Sequence, residues 1–179
     1  MKIKTTGIKG LIVFERQMFS DNRGYFYESF NKTWFDSLKL DIGFWQDNVS
    51  FSKEGVLRGL HFQKNPFAQA KLVQVLQGEV FDVALDLRKD SPTYRQWHAE
   101  ILSESNGRMM FIPEGFAHGF LVISESALFH YKCSKKYSPE NSITIFWDSA
   151  SIFWPKQPKC ISEQDEKGKT LDEYERETK

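Results

Sequence analysis

Two cysteines, Cys133 and Cys160, are all that this 179-residue chain contains. They stand far apart, and two thiols cannot form the disulfide framework of a domain this size. Free thiols in a reducing compartment are expected. Net charge is also missing, since 24 Lys and Arg balance 24 Asp and Glu. That balance removes the strong field that would make nucleic acid or an anionic membrane the main partner. Long apolar runs are absent too. The run Leu11 to Phe14 in MKIKTTGIKGLIVFERQ is too short for a signal-peptide core, and no stretch approaches a membrane span. A cytoplasmic protein is expected, with no membrane and no nucleic-acid partner. Internal repeats and low-complexity segments are lacking as well.

What the chain does have is aromatic mass: 16 Phe, 6 Tyr and 5 Trp. Such residues favour a β-rich fold with wide inner faces. The length fits a single domain, residues 1–179, with a sizeable core. In KLVQVLQGEVFDVALDLRKDSP, Phe81, Val83, Leu85 and Leu87 alternate with Asp82, Ala84, Asp86 and Arg88, which predicts a half-buried strand after a Gln77-Gly78 turn. In ALFHYKCSKKY, Phe129, Tyr131 and Cys133 share one face, while His130 and Lys132 share the other. NKTWFDSLKL predicts one helix, with Asn31 as cap and Trp34, Phe35 and Leu38 as its apolar stripe. Beyond Pro158 the chain turns polar, and from about residue 163 EQDEKGKTLDEYERETK predicts a short helical piece and a solvated tail. Short strands at regular spacing predict a mainly β fold, a cupin-type jelly-roll β-barrel with a few short helices.

The most informative stretch is GVLRGLHFQ. Five residues separate Gly55 from His61, the opening of a metal-binding barrel pattern that continues His-x-His; here the next position is Gln63. GRMMFIPEGFAHGF is similar to the second cupin motif, with Pro113 and Gly115 leading to His118. Where an acidic ligand belongs stands Lys71, with six residues between it and Gly78. A catalytic divalent cation needs about three nitrogen or oxygen ligands. Two histidines, a glutamine and an ammonium group do not supply them, so the expectation is a pocket with no metal and no cofactor. A fixed cation can stabilise an oxyanion in the metal's place, and an unligated His61 can move protons near neutral pH. Singly, these residues are bland: a lone lysine is usually at the surface, and a strand tyrosine such as Tyr131 usually packs. Their combined spacing points to a pocket. His98 and His130 are assigned no role.

From about Phe19 to Asp165 the sequence resembles the dTDP-4-dehydrorhamnose 3,5-epimerases, metal-free cupins of deoxysugar nucleotide synthesis. The segments that carry the resemblance are FSDNRGYFYESF, QDNVSFSKEGVLRGLHFQ, AQAKLVQVLQGEVFDVALDLRKDSPT, FIPEGFAHGFLVIS and YSPE. Several long motifs in order are a specific signal. The resemblance implies a dTDP-linked 4-keto-6-deoxyhexose as substrate, inverted at C3 and C5 through an enolate. A 3- or 5-monoepimerase, a keto-sugar isomerase and a non-catalytic sugar-nucleotide-binding cupin are the alternatives. It further implies His61 as base, Asp165 as its carboxylate partner, Lys71 facing the enolate oxygen and Tyr131 as proton donor. Arg58, His118, Gln46, Asp47 and Asn48 match substrate-binding positions, and Tyr137 matches an aromatic near the diphosphate. Arg23 and Glu28 match nucleotide contacts supplied by a second subunit, implying a homodimer with exchanged N-terminal strands. Two positions depart from the family pattern: Ser142 stands in place of a glutamate and Gln164 in place of a lysine.

Overall fold

A computed structural model describes residues 1–178. Its strands are β1 (Lys2–Thr5), β2 (Ile12–Glu15), β3 (Phe19–Asp21), β4 (Gly24–Phe26), β5 (Gln46–Lys53), β6 (Leu57–Gln63), β7 (Lys71–Gln77), β8 (Glu79–Asp86), β9 (Trp97–Ser103), β10 (Arg108–Ile112), β11 (Phe116–Val122), β12 (Ser126–Cys133) and β13 (Ser142–Thr144). Three short helices are α1 (Lys32–Ser37), α2 (Glu163–Glu166) and α3 (Leu171–Glu177). One sheet has six strands in the order β1-β2-β10-β7-β12-β5, and a second has five in the order β13-β6-β11-β8-β9. The hairpin β3–β4 stands apart as a two-stranded sheet. This is the expected double-sheet jelly roll. Crossovers between non-consecutive strands place β6, β7, β11 and β12 at the middle of the molecule, where the site lies.

The space between the sheets is filled by Val73, Val75, Val80, Ala84, Phe116, Phe120 and Phe129, all buried. Phe120 and Phe129 stack with ring centroids 4.2 Å apart. Each of these buried Val and Phe side chains stabilises the fold by roughly 1.5–3 kcal/mol. The helix α1 forms as the sequence predicts. Asn31 accepts from the Thr33 N–H at 3.0 Å, and Phe35 is fully buried. Phe35 meets Phe14, Phe30, Phe44 and Phe111 with centroids 5.4–5.7 Å apart, pinning α1 to the outside of the six-stranded sheet.

Two expectations fail together, for one reason. The strand β8 has the predicted period of two, but neither face meets solvent. Asp82 and Asp86 have no exposed area. The face bearing Val80, Asp82 and Ala84 looks into the barrel. The face bearing Phe81, Val83 and Leu85 is covered by Ile145, Ile152, Trp154 and Leu171 from the C-terminal segment. Of these, Leu171 lies beyond residue 163, where the expected short helical pieces form as α2 and α3 but the stretch is anchored to the barrel and is not simply a solvated tail. Thr170 and Glu173 form a reciprocal capping box on α3, Leu171 is buried, and Tyr174 packs edge-on against Phe62 at 5.4 Å. Its few apolar residues are too sparse to announce themselves in a polar run.

One glycine sets how closely the central strands approach. Gly59 has φ +111°, and a Cβ there would lie 2.6 Å from Gly119 Cα and from the His118 carbonyl oxygen. Only glycine allows this contact. The close approach seats β6 on β11 with His61 directly opposite His118.

Candidate active site

Two adjoining pockets, of about 350 Å³ and about 320 Å³, share His61, Lys71, Tyr131 and Gln164 in their walls. The wall side chains come from both sheets. His61 and Arg58 project from β6 and His118 from β11 of one sheet, while Lys71 on β7, Tyr131 on β12 and Asn48 on β5 belong to the other. Lys71, Cys133 and Gln46 stand side by side on successive strands, as do Tyr131 and Asn48. A ligand in this cavity therefore lies between His61 on one side and Tyr131 on the other.

His61 Nε2 lies 2.5 Å from Asp165 Oδ1. Ser162 caps α2 by accepting from the Asp165 N–H, and that one turn of helix delivers the carboxylate to His61. Asp165 Oδ2 accepts from the Gly59 N–H at 3.2 Å. Burial alone would raise the Asp165 carboxyl, but the His61 hydrogen bond and charge, with the Gly59 N–H, outweigh it and hold the group below the usual carboxylate range. With Nε2 engaged, Nδ1 is the ring nitrogen left to accept a proton.

Lys71 is buried, and its Nζ donates to the His61 carbonyl oxygen at 3.4 Å. Burial pushes the ammonium down from the ordinary lysine value, against the charge of Asp82. Burial pushes the Tyr131 phenol up, so it carries its proton at neutral pH. His118 Nε2 lies 3.0 Å from both oxygens of Asp82, beneath the cavity. Burial lowers His118, so its ring is neutral at pH 7 and donates Nε2–H to the carboxylate. Among the described residues no three His, Cys, Asp or Glu side chains gather into a metal-holding group.

The binding positions divide. Arg58 lines the cavity and is braced by Ser52, its Nε donating to Oγ at 2.9 Å. Gln46 Nε2 donates to Asn48 Oδ1 at 2.9 Å, and Gln46 Oε1 accepts from the Tyr137 N–H at 3.1 Å. These contacts set Tyr137 on the rim, half exposed. Asp47 is not brought to the cavity. Alternation along β5 turns it to the opposite face, where it pairs with Lys132 at 2.8 Å. Arg23 and Glu28 are also outside the walls. Arg23 pairs with Asp21 and Glu28 accepts from Asn31, both on exposed surface. Ser142 and Gln164 both line the cavity, so the two departures from the family pattern face the ligand space.

Sequence reasoning missed two roles. Gln63 is a brace, not a vacant ligand position: Nε2 donates to the Phe67 carbonyl and Oε1 accepts from the Ser138 N–H, each at 2.7 Å. Asp82 was expected on a solvent face. The usable signal was its place in a strand whose neighbour carries His118, because a buried histidine needs an acceptor.

The model of the dTDP-4-dehydrorhamnose 3,5-epimerase family matches residues 5–173. The chain belongs to this family. The enzyme of that name from Methanothermobacter thermautotrophicus is 48% identical over 173 residues, spanning 94% of this chain and 93% of the relative. A dTDP-6-deoxy-D-glucose-3,5-epimerase from Legionella pneumophila, solved in complex with dTDP-4-keto-L-rhamnose, superposes with a TM-score of 0.91 at 46% identity, covering 96% and 93% of the two chains. A 3'-monoepimerase from Streptomyces bikiniensis, solved with dTDP-quinovose, has a TM-score of 0.90 at 29% identity, covering 96% and 89%. Family membership extends the likeness beyond the Phe19–Asp165 span into β1 and α3.

Proposed function

We propose that this protein inverts C3 and C5 of a dTDP-linked 4-keto-6-deoxyhexose, converting dTDP-4-dehydro-6-deoxyglucose to dTDP-4-dehydrorhamnose. The observation that carries the reading is the confrontation of His61 and Tyr131 across one cavity, with Lys71 in its wall. The ketone acidifies the hydrogens on its two neighbouring carbons. His61 Nδ1 takes one of them, and Asp165 holds the ring and balances the imidazolium that forms. The C–H pair moves into the ring as an enolate, whose oxygen is met by the Lys71 ammonium. Tyr131 returns a proton from the opposite face, and the centre is inverted. Protons leave and return in equal number, so no oxidant or reductant is consumed. Burial lowers Lys71 against the charge of Asp82, and a negative charge developing in the cavity adds to what favours the ammonium there.

Arg58 and His118 hold the sugar, and Gln46, Asn48 and Tyr137 the rim where the diphosphate enters. The protein acts as a homodimer in the cytoplasm. Since β1 and β2 pair within the chain's own sheet, exchange falls to the β3–β4 hairpin and the segment after it. That region carries Arg23 and Glu28, together with exposed Phe19, Tyr25 and Phe26. Its residues would complete the partner's nucleotide site.

Incubation with dTDP-4-keto-6-deoxyglucose in deuterated water tests the reading. Deuterium at both C3 and C5 is expected. Label at one carbon only replaces it with a monoepimerase, and binding without exchange replaces it with a sugar-nucleotide-binding protein.

A further inference from the structure

Beneath the cavity lies a charged group that the mechanism above does not use. Asp82, on β8, has no exposed area, yet His118 Nε2 is its sole hydrogen-bond donor among the described residues, shared between both oxygens at 3.0 Å. A buried carboxylate so thinly served is costly, and such groups persist when a nearby positive charge compensates. The positive charge is Lys71, which lines the same pocket as His118, the ring bonded to Asp82. No direct Lys71–Asp82 ion pair forms among the described residues, and burial raises the Asp82 carboxyl while the charges of His118 and Lys71 act against that rise. The titratable groups facing Asp82 are His118, Lys71 and His98; His61 also faces His118, and Cys133 also faces Lys71. Burial keeps Cys133 a thiol and His98 and His118 neutral, so none of them supplies a competing charge at neutral pH.

We propose that Asp82 is a positioning residue for the epimerisation: as the buried anion under the cavity it holds Lys71 in the ammonium form and fixes the His118 ring through Nε2–H. An isolated lysine buried in an apolar wall reverts to the neutral amine, which is a poor partner for an enolate. With the Asp82 charge beyond the His118 ring, the ammonium is favoured without direct solvation, and the two opposite charges balance beneath the cavity. His118 then has a second task. Its Nε2–H goes to Asp82, which leaves Nδ1 as an acceptor for a sugar hydroxyl. The arrangement works through Lys71 and His118, and Asp82 itself does not line the cavity.

The inference rests on Lys71 serving the enolate, and two measurements separate its failure from failure of that reading. In the unaltered enzyme, the Lys71 Nζ signal by 15N NMR, assigned by its loss in Lys71→Met, is expected in the ammonium position at pH 7. A neutral amine overturns the proposal even if the enzyme turns over. In Asp82→Asn, which preserves shape and an acceptor for His118, kcat at pH 8 is expected to fall about 10- to 100-fold with KM changed less than about threefold. The alkaline limb of its kcat profile is expected to move at least about one unit to lower pH, because removing the anion lets Lys71 deprotonate sooner. Tyr131 does not confuse this limb, since its phenol is pushed up, not down. A limb that stays in place marks a merely structural Asp82 and overturns the proposal. If Asp82→Asn does not fold, the Nζ measurement on the unaltered enzyme decides alone. Absence of deuterium wash-in by the unaltered enzyme overturns the functional reading and leaves the charge state of Lys71 to stand or fall separately.

Discussion

Two histidine–aspartate pairs lie on adjoining strands, and their surroundings set them apart. His61 stands directly opposite His118 across the β6–β11 pairing, and each ring meets a carboxylate through Nε2. The His61 side chain is 37% exposed, the His118 side chain 8%. Asp165 has two donors, His61 and the Gly59 N–H, and is held below the usual carboxylate range. Asp82 has one, and burial raises it. The same two residue types thus give a proton carrier where the ring is open to the cavity and a fixed binding strut where the ring is nearly buried. Access and the number of donors on the carboxylate decide the role, not the identity of the pair.

The sharpest way to break the comparison is to remove each ring. His61→Asn is expected to lower kcat about 10³-fold or more and to abolish deuterium wash-in, with a smaller fall in melting temperature than His118→Asn, because Asp165 keeps the Gly59 N–H. His61 is half open to the cavity, so little packing is lost. Normal wash-in by this variant would sink its assignment as base. Asp165→Asn comes next, at about 10²-fold in kcat, since the ring loses both its orientation and the charge that favours the imidazolium. This variant also has a pH signature. The folded carboxyl lies below its unfolded value, so its contribution to stability is present above about pH 4 and is lost as pH falls through the folded value. The stability gap between parent and Asp165→Asn should therefore close on acidification. A gap that is constant with pH would mean that the carboxylate charge contributes nothing.

His118→Asn should behave in the opposite sense to His61→Asn. It leaves Asp82 buried without its donor, and a loss of about 2–4 kcal/mol in stability is expected from denaturant unfolding. Catalysis should suffer less, by about 10-fold, mostly in KM. A stable His118→Asn with kcat abolished would show that the sealed pair is the chemical one and reverse the assignment of the two.

Much of this was legible in the sequence because it rests on spacing. The distance from Gly55 to His61, the Pro113-Gly115-His118 run and the cap at Asn31 are local patterns, and each is found where its spacing put it. The fates of Asp47, Asp82 and the segment from 163 were not legible, because they depend on what covers a face. Period-two alternation says that Asp82 and Phe81 point opposite ways, and the structure agrees. It cannot say that α3 and Trp154 will cover Phe81, which leaves Asp82 facing inward. Asp47 misleads for the complementary reason. It lies between Gln46 and Asn48, both in the cavity wall, and a run of three polar residues on a strand cannot present all three to one side.

The smallest expected effect concerns the wall beside the open pair. Gln164 precedes Asp165 on α2, lines both pockets, and has its Nε2 3.3 Å from Thr144 Oγ1. The family pattern has a lysine at this position. A neutral amide gives up a charge-assisted contact to a diphosphate, worth about 1 kcal/mol at a partly exposed site. Gln164→Lys should therefore lower KM for the dTDP-sugar about 3- to 10-fold, more at low salt than at high, with a smaller change in kcat. If kcat moves and KM does not, the new charge is acting on its neighbours His61 and Asp165 instead of on the ligand. Position 164 would then belong to the proton-moving pair, and the boundary drawn between the reacting pair and the binding wall would have to shift by one residue along α2.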